Sequence, residues 1–310
     1  MAAITAAMVK ELRESTGAGM MDCKKALAAT EGDMEKAVEF LREKGLAAAA
    51  KKAGRIAAEG LVNAIVEGNT AAIVEVNSET DFVAKNADFQ AYVANVAKQA
   101  LASDAADMDA FQAEAWIEDA NLTVAQALSE KIAIIGEKLS IRRFEKIVNN
   151  DGCVVSYVHG GGRIGVLIDA KCDVVNDAVT EALKNVAMQV AALKPQYVCR
   201  DEISAEFIAK EEEILMAAAR NEKPDAPDKI LMGMVKGRLN KELKEFCLVD
   251  QVYVKAEDGK QSVAQYLDQV SKAVGAKLTV KKFVRFETGE GMEKKQENFA
   301  EEVAKQMGGN

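Results

Sequence analysis

Apolar residues recur at helical spacing near the start of the chain. A first helix is expected to stop near Thr16-Gly17, a second covers residues 20–30, and a third begins after Asp33 and ends at Gly45. The apolar faces of the first and third helices consist of Met8, Val9 and Leu12, then Met34, Ala37, Val38 and Leu41. The pattern predicts a three-helix bundle, followed by a basic, alanine-rich helical tether over 46–58 that is not a core element.

β-Strand patterns replace the helical spacing after residue 60. The runs 61–67 and 71–76 flank a Gly-Asn turn and predict a β-hairpin, which a polar loop joins to a helix ending at Leu101. The same order returns with runs 153–158 and 164–170 around a glycine-rich turn, again followed by an amphipathic helix. Two hairpin-plus-helix halves of this kind predict one α+β core.

The segments around the second half are mainly helical by pattern. Residues 101–130 hold seven acidic residues and no basic one, and a helix is expected over about 123–139. Two amphipathic helices, at 203–220 and 228–244, predict an αα-hairpin whose apolar positions need cover from each other or from another molecule. These positions are Ile203, Phe207 and Ile214, then Leu231, Val235, Leu239 and Leu243.

The last part of the chain is expected to return to the core. A short strand near 247–254, a helix around 262–274 and a strand at 277–286 fit the pattern of apolar residues. The polar tail from Gly289 has one apolar helical face, with Phe299 and Val303. The predicted fold class is α+β, with helical additions at both ends and one inserted helical hairpin.

Composition narrows the classes of function. The 310 residues are 49% hydrophobic and 29% charged, as in an ordinary globular protein. Acidic residues outnumber basic ones by 49 to 40, which argues against a nucleic-acid binder because phosphate contact needs a basic surface. The single histidine excludes sites built on two or more imidazoles, and five widely spaced cysteines predict neither a disulfide framework nor a metal clip. Without a long apolar run or a signal pattern, a cytoplasmic location is expected.

The glycine-rich turn has two interpretations. Residues 160–165 satisfy the G-x-G-x-x-G fingerprint of dinucleotide sites, but that motif requires a helix after it, and a strand-like run follows here. A hairpin turn that needs positive φ is the favoured interpretation, so no nucleotide cofactor is expected. His159, beside the turn, has no neighbouring nucleophile motif and is more typical of a surface residue than of a catalyst.

Two other segments combine a structural and a functional interpretation. The Ser, Thr, Asp and Asn residues of the loop 78–86 suit a helix N-terminus, but Phe82 lies beside Asp81 and one cap does not use all the polar side chains. A carboxylate next to a bulky wedge could perturb a metal or phosphate site on a partner. The pair Met20-Met21 fits a core, but methionine is also favoured at adaptable binding surfaces.

The same segments resemble the signatures of a known family. Residues 12–27, LRESTGAGMMDCKKAL, are similar to the N-terminal signature of the elongation factor Ts family, and residues 75–85, EVNSETDFVAK, resemble its second signature. Further similarities follow in the family's order at 157–160, at 163–167 and at 285–287 with 289–291. The resemblance extends over essentially the whole chain.

The resemblance implies a guanine-nucleotide exchange factor rather than an enzyme. Such a factor binds elongation factor Tu·GDP, dislodges Mg²⁺ and promotes GDP release during translation elongation, and it has no cofactor of its own. The residues implied to dislodge the partner's Mg²⁺ are Thr80, Asp81, Phe82 and Val83. Phe82 would insert between helices of the partner's G domain, while Asp81 would reorganise the polar network around the metal-bound water. The implied partner-binding residues are Leu12, Met20, Met21, Gly136 and His159.

The resemblance also implies a division of the chain. Residues 1–55 correspond to a ubiquitin-associated-like three-helix domain with its tether, and 56–150 to the N-subdomain of the core. Residues 151–288 correspond to the C-subdomain, with the helical hairpin inserted at about 200–246, and 289–310 to a C-terminal module. The family uses the hairpin for dimerisation, but the sequence leaves a homodimer and a partner contact as alternatives.

Two further classes of function remain as alternatives. A helical adaptor or scaffold would use the same bundle and amphipathic hairpin, because such elements are general interaction devices. A nucleotide-utilising enzyme is supported by the glycine-rich turn alone. GDP-release kinetics separate an exchange factor from an adaptor, and nucleotide titration of the isolated chain separates either from the enzyme.

Overall fold

The N-terminal part of the chain is a bundle of three helices. In the computed structural model, which describes residues 4–293, these are α1 (Ala6–Thr16), α2 (Met20–Ala29) and α3 (Met34–Lys52). The side chains of Thr5 and Asp33 accept hydrogen bonds from backbone amides at the starts of α1 and α3, which is typical of N-caps. The predicted helices are confirmed, although α3 is longer than its pattern indicates.

Gly45 does not end α3, so that prediction is wrong. The helix continues through Gly45 and packs closely against a later part of the chain, since a Cβ there would lie at contact distance, 3.5 Å from the Ser129 carbonyl oxygen and 3.6 Å from the Ala133 Cβ. One turn further on, Ala49 packs against the hydrophobic core of the next part of the chain. The segment predicted to be a tether without core contacts is therefore helical to Lys52 and packed against that core.

The first β-hairpin and its helix have the predicted order. Strands β1 (Glu59–Glu67) and β2 (Thr70–Ser78) pair antiparallel, and their register places Glu59 opposite Ser78. A one-turn helix, α4 (Asp81–Ala84), interrupts the polar loop before α5 (Ala87–Ala102). Because β2 is buried along nearly its whole length, this strand lies at the centre of the structure.

The acidic segment folds into short elements before a longer helix. In chain order these are α6 (Met108–Ala113), β3 (Ala115–Trp116), β4 (Asp119–Thr123), α7 (Val124–Ile135) and a strand, β5 (Ser140–Val148). The helix ends at Gly136, with φ of 85°, rather than at 139 as predicted. Thr123 and Gln126 form a capping box at its start.

Strand β5 is absent from the sequence-based prediction. Charged residues at 142, 143, 145 and 146 break the alternation of apolar and polar positions that identifies a half-buried strand. In the structure their side chains are half-buried because they pair with charges on neighbouring strands and loops. The first sheet therefore has three strands, in the order β1-β2-β5.

The second half repeats the arrangement. Strands β6 (Gly152–His159) and β7 (Ile164–Lys171) form the predicted hairpin, and α8 (Asp177–Leu193) follows with its apolar face buried. The helix begins at Asn176, whose side chain accepts from the Val179 amide at 3.0 Å. The predicted hairpin and helix are confirmed.

The inserted helical hairpin is also present, as α9 (Ala205–Glu222) and α10 (Asp228–Phe246). The four apolar positions predicted on α10 are buried against α9. On α9, however, Leu215 is buried and Ile214 is 51% exposed, so the predicted apolar face is wrong by one residue there. Homodimerisation or partner contact through this hairpin stays a prediction.

After the hairpin the chain returns to the second sheet. Residues 248–250 form a single 3₁₀ turn with isolated bridges beside it, so the strand predicted near 247–254 is wrong. The helix α11 (Val263–Val274) and the strand β8 (Thr279–Glu287) follow the prediction, and the sheet has the order β6-β7-β8. The predicted apolar face with Phe299 and Val303 lies outside the described residues.

The two sheets pack face to face, with helices outside them. Ile73 of β2 and Leu167 of β7 belong to the apolar layer between the sheets, whereas α5 and α8 cover the outer faces. Gly165 permits this close approach, since a Cβ there would lie 2.4 Å from a methyl carbon of Val62. The mixed helix and sheet architecture confirms the predicted α+β class.

A buried carboxylate joins the first sheet to the segment after β8. Glu75 is completely buried and accepts hydrogen bonds from Arg142 at 3.0 Å and from Arg143 at 2.6 Å. It also accepts from the side chain of Asn77 at 3.1 Å and from the backbone amide of Gly289 at 2.8 Å. A buried charge is tolerated only when it is paired and hydrogen-bonded, and Glu75 meets this condition. Its bond to the Gly289 amide holds the turn after β8, called here the C-terminal turn, against β2.

Candidate functional site

The segment 80–83 presents an aromatic side chain to solvent. Thr80 caps α4, its hydroxyl accepting from the Val83 amide at 3.4 Å. Val83 packs against the core of the first half, while Phe82, one position earlier, is 80% exposed. The loop therefore fits both the helix-capping and the partner-binding interpretation. Thr80 and Asn86 cap helices, whereas the exposed side chain of Phe82 takes no part in capping.

Asp81 lies next to Phe82 on the exposed side of α4. Its carboxylate accepts from the Lys85 ammonium at 2.6 Å, and this hydrogen bond holds the pKa of Asp81 below its ordinary value. The group is therefore ionised at neutral pH. Both side chains are exposed, so the pair contributes little to stability and leaves a carboxylate on the surface.

A second carboxylate, from the turn after α7, holds the start of this loop. Glu137 Oε2 accepts from the backbone amides of Glu79 and Thr80, each at 3.1 Å. Glu137 Oε1 accepts from the Thr80 hydroxyl at 2.7 Å. The carboxylate of Glu137 thus takes three hydrogen bonds from two consecutive residues, and the Thr80 hydroxyl is oriented to accept from α4.

Glu79 makes the reciprocal contact. Its carboxylate accepts from the backbone amide of Lys138 at 2.6 Å and from Arg55 at 3.1 Å. The Lys138 ammonium in turn donates to the Arg55 carbonyl at 2.8 Å. Neither glutamate was predicted as a site residue, and no local spacing could have identified them because the two turns lie 58 residues apart in the chain.

Gly136 lies in the turn that Glu137 belongs to. It is exposed, and its positive φ ends α7 so that the chain can bend toward the loop 79–83. Glu137 then bonds directly to that loop. The structure therefore places predicted site residue Gly136 next to the predicted Mg²⁺-dislodging residues.

His159 is exposed at the end of β6, before the glycine-rich turn. Its Nδ1 lies 2.8 Å from the Tyr157 hydroxyl, and glycines 160–162 all have positive φ. The turn joins antiparallel strands, as the hairpin interpretation predicts, and no helix follows it to hold a phosphate. The Gly162 carbonyl accepts from Val62 at 2.7 Å, three residues from the end of β1 that pairs with Ser78. The glycine-rich turn next to His159 therefore contacts β1 of the first sheet.

The methionine pair lies on the helical bundle. Met20 and Met21 are 58% and 63% exposed and line a groove with residues of α1 and α2, including the basic side chains Lys10, Arg13 and Lys24. Leu12, by contrast, is completely buried in the core of the bundle. The prediction of Leu12 as a contact residue is therefore corrected, because its side chain supports the surface without being part of it.

Among the described residues we find no metal site, disulfide or membrane-spanning helix. Within residues 4–293, no group of three or more His, Cys, Asp or Glu side chains is arranged to hold a metal ion. All five cysteines are free thiols. No described helix is both long enough and apolar enough to cross a membrane. The exposed residues Phe82, Gly136, His159, Met20 and Met21 are the candidates for a binding surface.

Comparison with known proteins gives this surface its context. Residues 79–290 match the family model described as Elongation factor TS. Elongation factor Ts of Clostridioides difficile (strain 630) is 56% identical over 309 residues, covering 99% of this chain and 100% of that protein. Elongation factor Ts of Clostridium novyi (strain NT) is 54% identical, covering 98% of this chain and 99% of that protein.

These similarities define the class first: the chain is a translation elongation factor. It belongs to the elongation factor Ts family, in agreement with the resemblance of its two signature segments. The second signature, residues 75–85, contains both the buried Glu75 and the exposed Phe82.

Proposed function

We propose that this chain is a guanine-nucleotide exchange factor that binds elongation factor Tu·GDP, dislodges its Mg²⁺ and promotes GDP release. The observation that carries the proposal is the 80% exposed side chain of Phe82, on a loop held by three hydrogen bonds to Glu137. An exposed aromatic on a fixed loop gives the free chain no packing benefit, whereas rigid aromatics are favoured anchors at protein interfaces. Membership of the family supports the identity of the partner and a cytoplasmic site of action during translation.

Exchange by this route needs no bond chemistry in the chain. Mg²⁺ is held by phosphate oxygens in nucleotide sites, so disturbing its coordination weakens GDP binding. In the proposal Phe82 inserts between helices of the partner's G domain, and the Asp81 carboxylate reorganises the polar network around the metal-bound water. Thr80 and Val83 fix the loop, while Gly136 and His159 add further contacts with the partner. The result is a reciprocal coupling between two ligands of one protein, and the chain is not an enzyme in the usual sense.

Release of fluorescent GDP from elongation factor Tu tests this proposal. At saturating chain, GDP release should accelerate, and the affinity for GDP should fall by roughly 5–150-fold, the usual range of allosteric coupling. Stopped-flow fluorescence measures the rate, and nucleotide titration of the isolated chain is the control. Binding without acceleration would favour an adaptor, and tight binding of GDP by the chain itself would favour a nucleotide-utilising enzyme.

The methionine pair is proposed as a second contact with the partner. Exchanging both Met20 and Met21 for alanine should weaken binding to elongation factor Tu by at least about tenfold, because burial of even one such side chain contributes about 1.5–3 kcal/mol. The melting temperature should stay unchanged, since both side chains are exposed in the free chain. Ile117→Ala, at another exposed apolar residue, is the matched control. Equal affinities of the wild type and the double variant, measured by calorimetry, would remove the bundle surface from the interface.

A further inference from the structure

We infer that Glu137 and Glu79 are positioning residues for exchange, forming a clamp that fixes the loop 79–83 and thereby directs Phe82. This role rests on the proposed exchange function, because it acts through a residue of that site. The clamp joins two turns that are 58 residues apart in the sequence, one after β2 and one after α7. Neither carboxylate needs to touch the partner to have this effect.

The contacts of Glu137 exceed what helix capping requires. Thr80 alone satisfies the Val83 amide at the start of α4. Glu137 adds hydrogen bonds to the amides of Glu79 and Thr80 and to the Thr80 hydroxyl. Hydrogen bonds to an ionised acceptor are about twice as strong as neutral ones, so this carboxylate fixes the backbone of the two residues that precede Asp81-Phe82.

The backbone is the main element that can direct Phe82. Its side chain is 80% exposed, and little packing within the described residues restrains it. The neighbouring Val83 is anchored in the core, while Ser78 donates to the Thr80 carbonyl at 3.0 Å. With both flanks held, an aromatic side chain on a one-turn helix is presented in a limited set of directions. Such preorganisation lowers the ordering cost of binding.

Glu79 extends the clamp to two other segments of the chain. It bonds to the Lys138 amide in the turn that carries Gly136, and to Arg55 just after the end of α3. The Glu79 carboxylate therefore links the loop 79–83, which carries Phe82, to the turn that contains Gly136 and to the segment that follows α3. A shift of any one of these segments would change the direction of Phe82.

The variant Glu137→Ala tests the clamp, with Glu118→Ala as a control that removes an exposed acidic residue from the same half of the chain. In the free chain, hydrogen exchange of the Glu79 and Thr80 amides should become about tenfold faster in Glu137→Ala and stay unchanged in the control. Glu137→Gln keeps one acceptor oxygen and should exchange at an intermediate rate. Exchange at the wild-type rate in Glu137→Ala would overturn the clamp without reference to any partner.

GDP release from elongation factor Tu tests whether the clamp affects exchange. Glu137→Ala should lower the maximal release rate by about tenfold, with a much smaller change in the chain concentration at half-maximal rate. In a Phe82→Ala background the same substitution should change the rate by less than about twofold, because residues acting through one another are not additive. An equal loss in both backgrounds would overturn the positioning role. Failure of the wild-type chain to accelerate release would instead contradict the proposed function, whatever the variants do.

Discussion

Replacing Phe82 by alanine should lower the maximal rate of GDP release from elongation factor Tu by at least roughly 30-fold, because truncating a central aromatic anchor costs about 2–4 kcal/mol. The free energy of unfolding should hardly change, since the side chain is 80% exposed in the free chain. Stopped-flow GDP release and thermal melting, measured on the same preparation, check the two halves of this expectation.

A buried phenylalanine gives the opposite pattern and is the control. Phe89 is completely buried in α5, and Phe89→Ala should cost about 3–5 kcal/mol of stability. If Phe82→Ala showed a comparable stability loss with a proportionate loss of activity, the loop would be a helix cap whose aromatic belongs to the core. The wedge role proposed for Phe82 would then be contradicted.

Asp81→Ala examines the electrostatic part of the same site. Its defect in GDP release should shrink when Mg²⁺ is chelated, because the step that Asp81 assists has then already taken place. Lys85→Ala is the control, since it breaks the same ion pair but leaves the carboxylate in place. A defect of Asp81→Ala that is independent of Mg²⁺, or one that Lys85→Ala reproduces in full, would remove Asp81 from the proposed mechanism.

A large effect on stability is also expected at the buried carboxylate of Glu75. Replacing it by alanine leaves Arg142, Arg143 and the Gly289 amide without their buried acceptor. Breaking a buried ion pair in this way costs about 3–5 kcal/mol, so the melting temperature should fall by roughly 10 °C. Calorimetric or circular-dichroism melting measures the change.

The matched control for Glu75 is a glutamate on the neighbouring strand. Glu145 pairs with Lys282, but both side chains are partly exposed, and Glu145→Ala should cost less than about 1 kcal/mol. Equal stability losses for the two variants would mean that burial of the Glu75 carboxylate does not determine its contribution. The same result would contradict the anchoring of the C-terminal turn described above.

Local periodicity predicted most of the elements of this fold. Both β-hairpins, α8 and the αα-hairpin depend on patterns within consecutive stretches of the sequence, and all are present. Strand β5 could not be predicted in the same way, because the arginines that break its pattern are balanced by Glu75, on another strand 67 residues earlier. The continuation of α3 through Gly45 could not be predicted for a related reason, since the residues it packs against there, Ser129 and Ala133, belong to α7.

For the candidate site, too, local motifs indicate some features, whereas others depend on contacts between residues that are distant in sequence. Exposure of Phe82, Met20 and Met21 agrees with the functional interpretation of their motifs, whereas Leu12 belongs to the same signature and is buried. A motif identifies which residues occur together, but only packing separates those that touch a partner from those that support them. The Glu79 and Glu137 clamp lies beyond any sequence pattern, because it is a contact between two distant turns.

The continuity of α3 beyond Gly45 has a consequence for how two contact surfaces would cooperate. A flexible tether would let the methionine surface and the Phe82 loop search for the partner independently. A helix that packs along α7, with Arg42 paired to Glu130 at 3.2 Å and Arg55 bonded to Glu79, holds them at one spacing instead. The chain then resembles a bidentate ligand with a stiff spacer, for which the effective concentration of the second arm depends on geometric match. A partner whose two binding surfaces move apart would keep only one contact at a time, so a change of shape in the partner would itself weaken the complex.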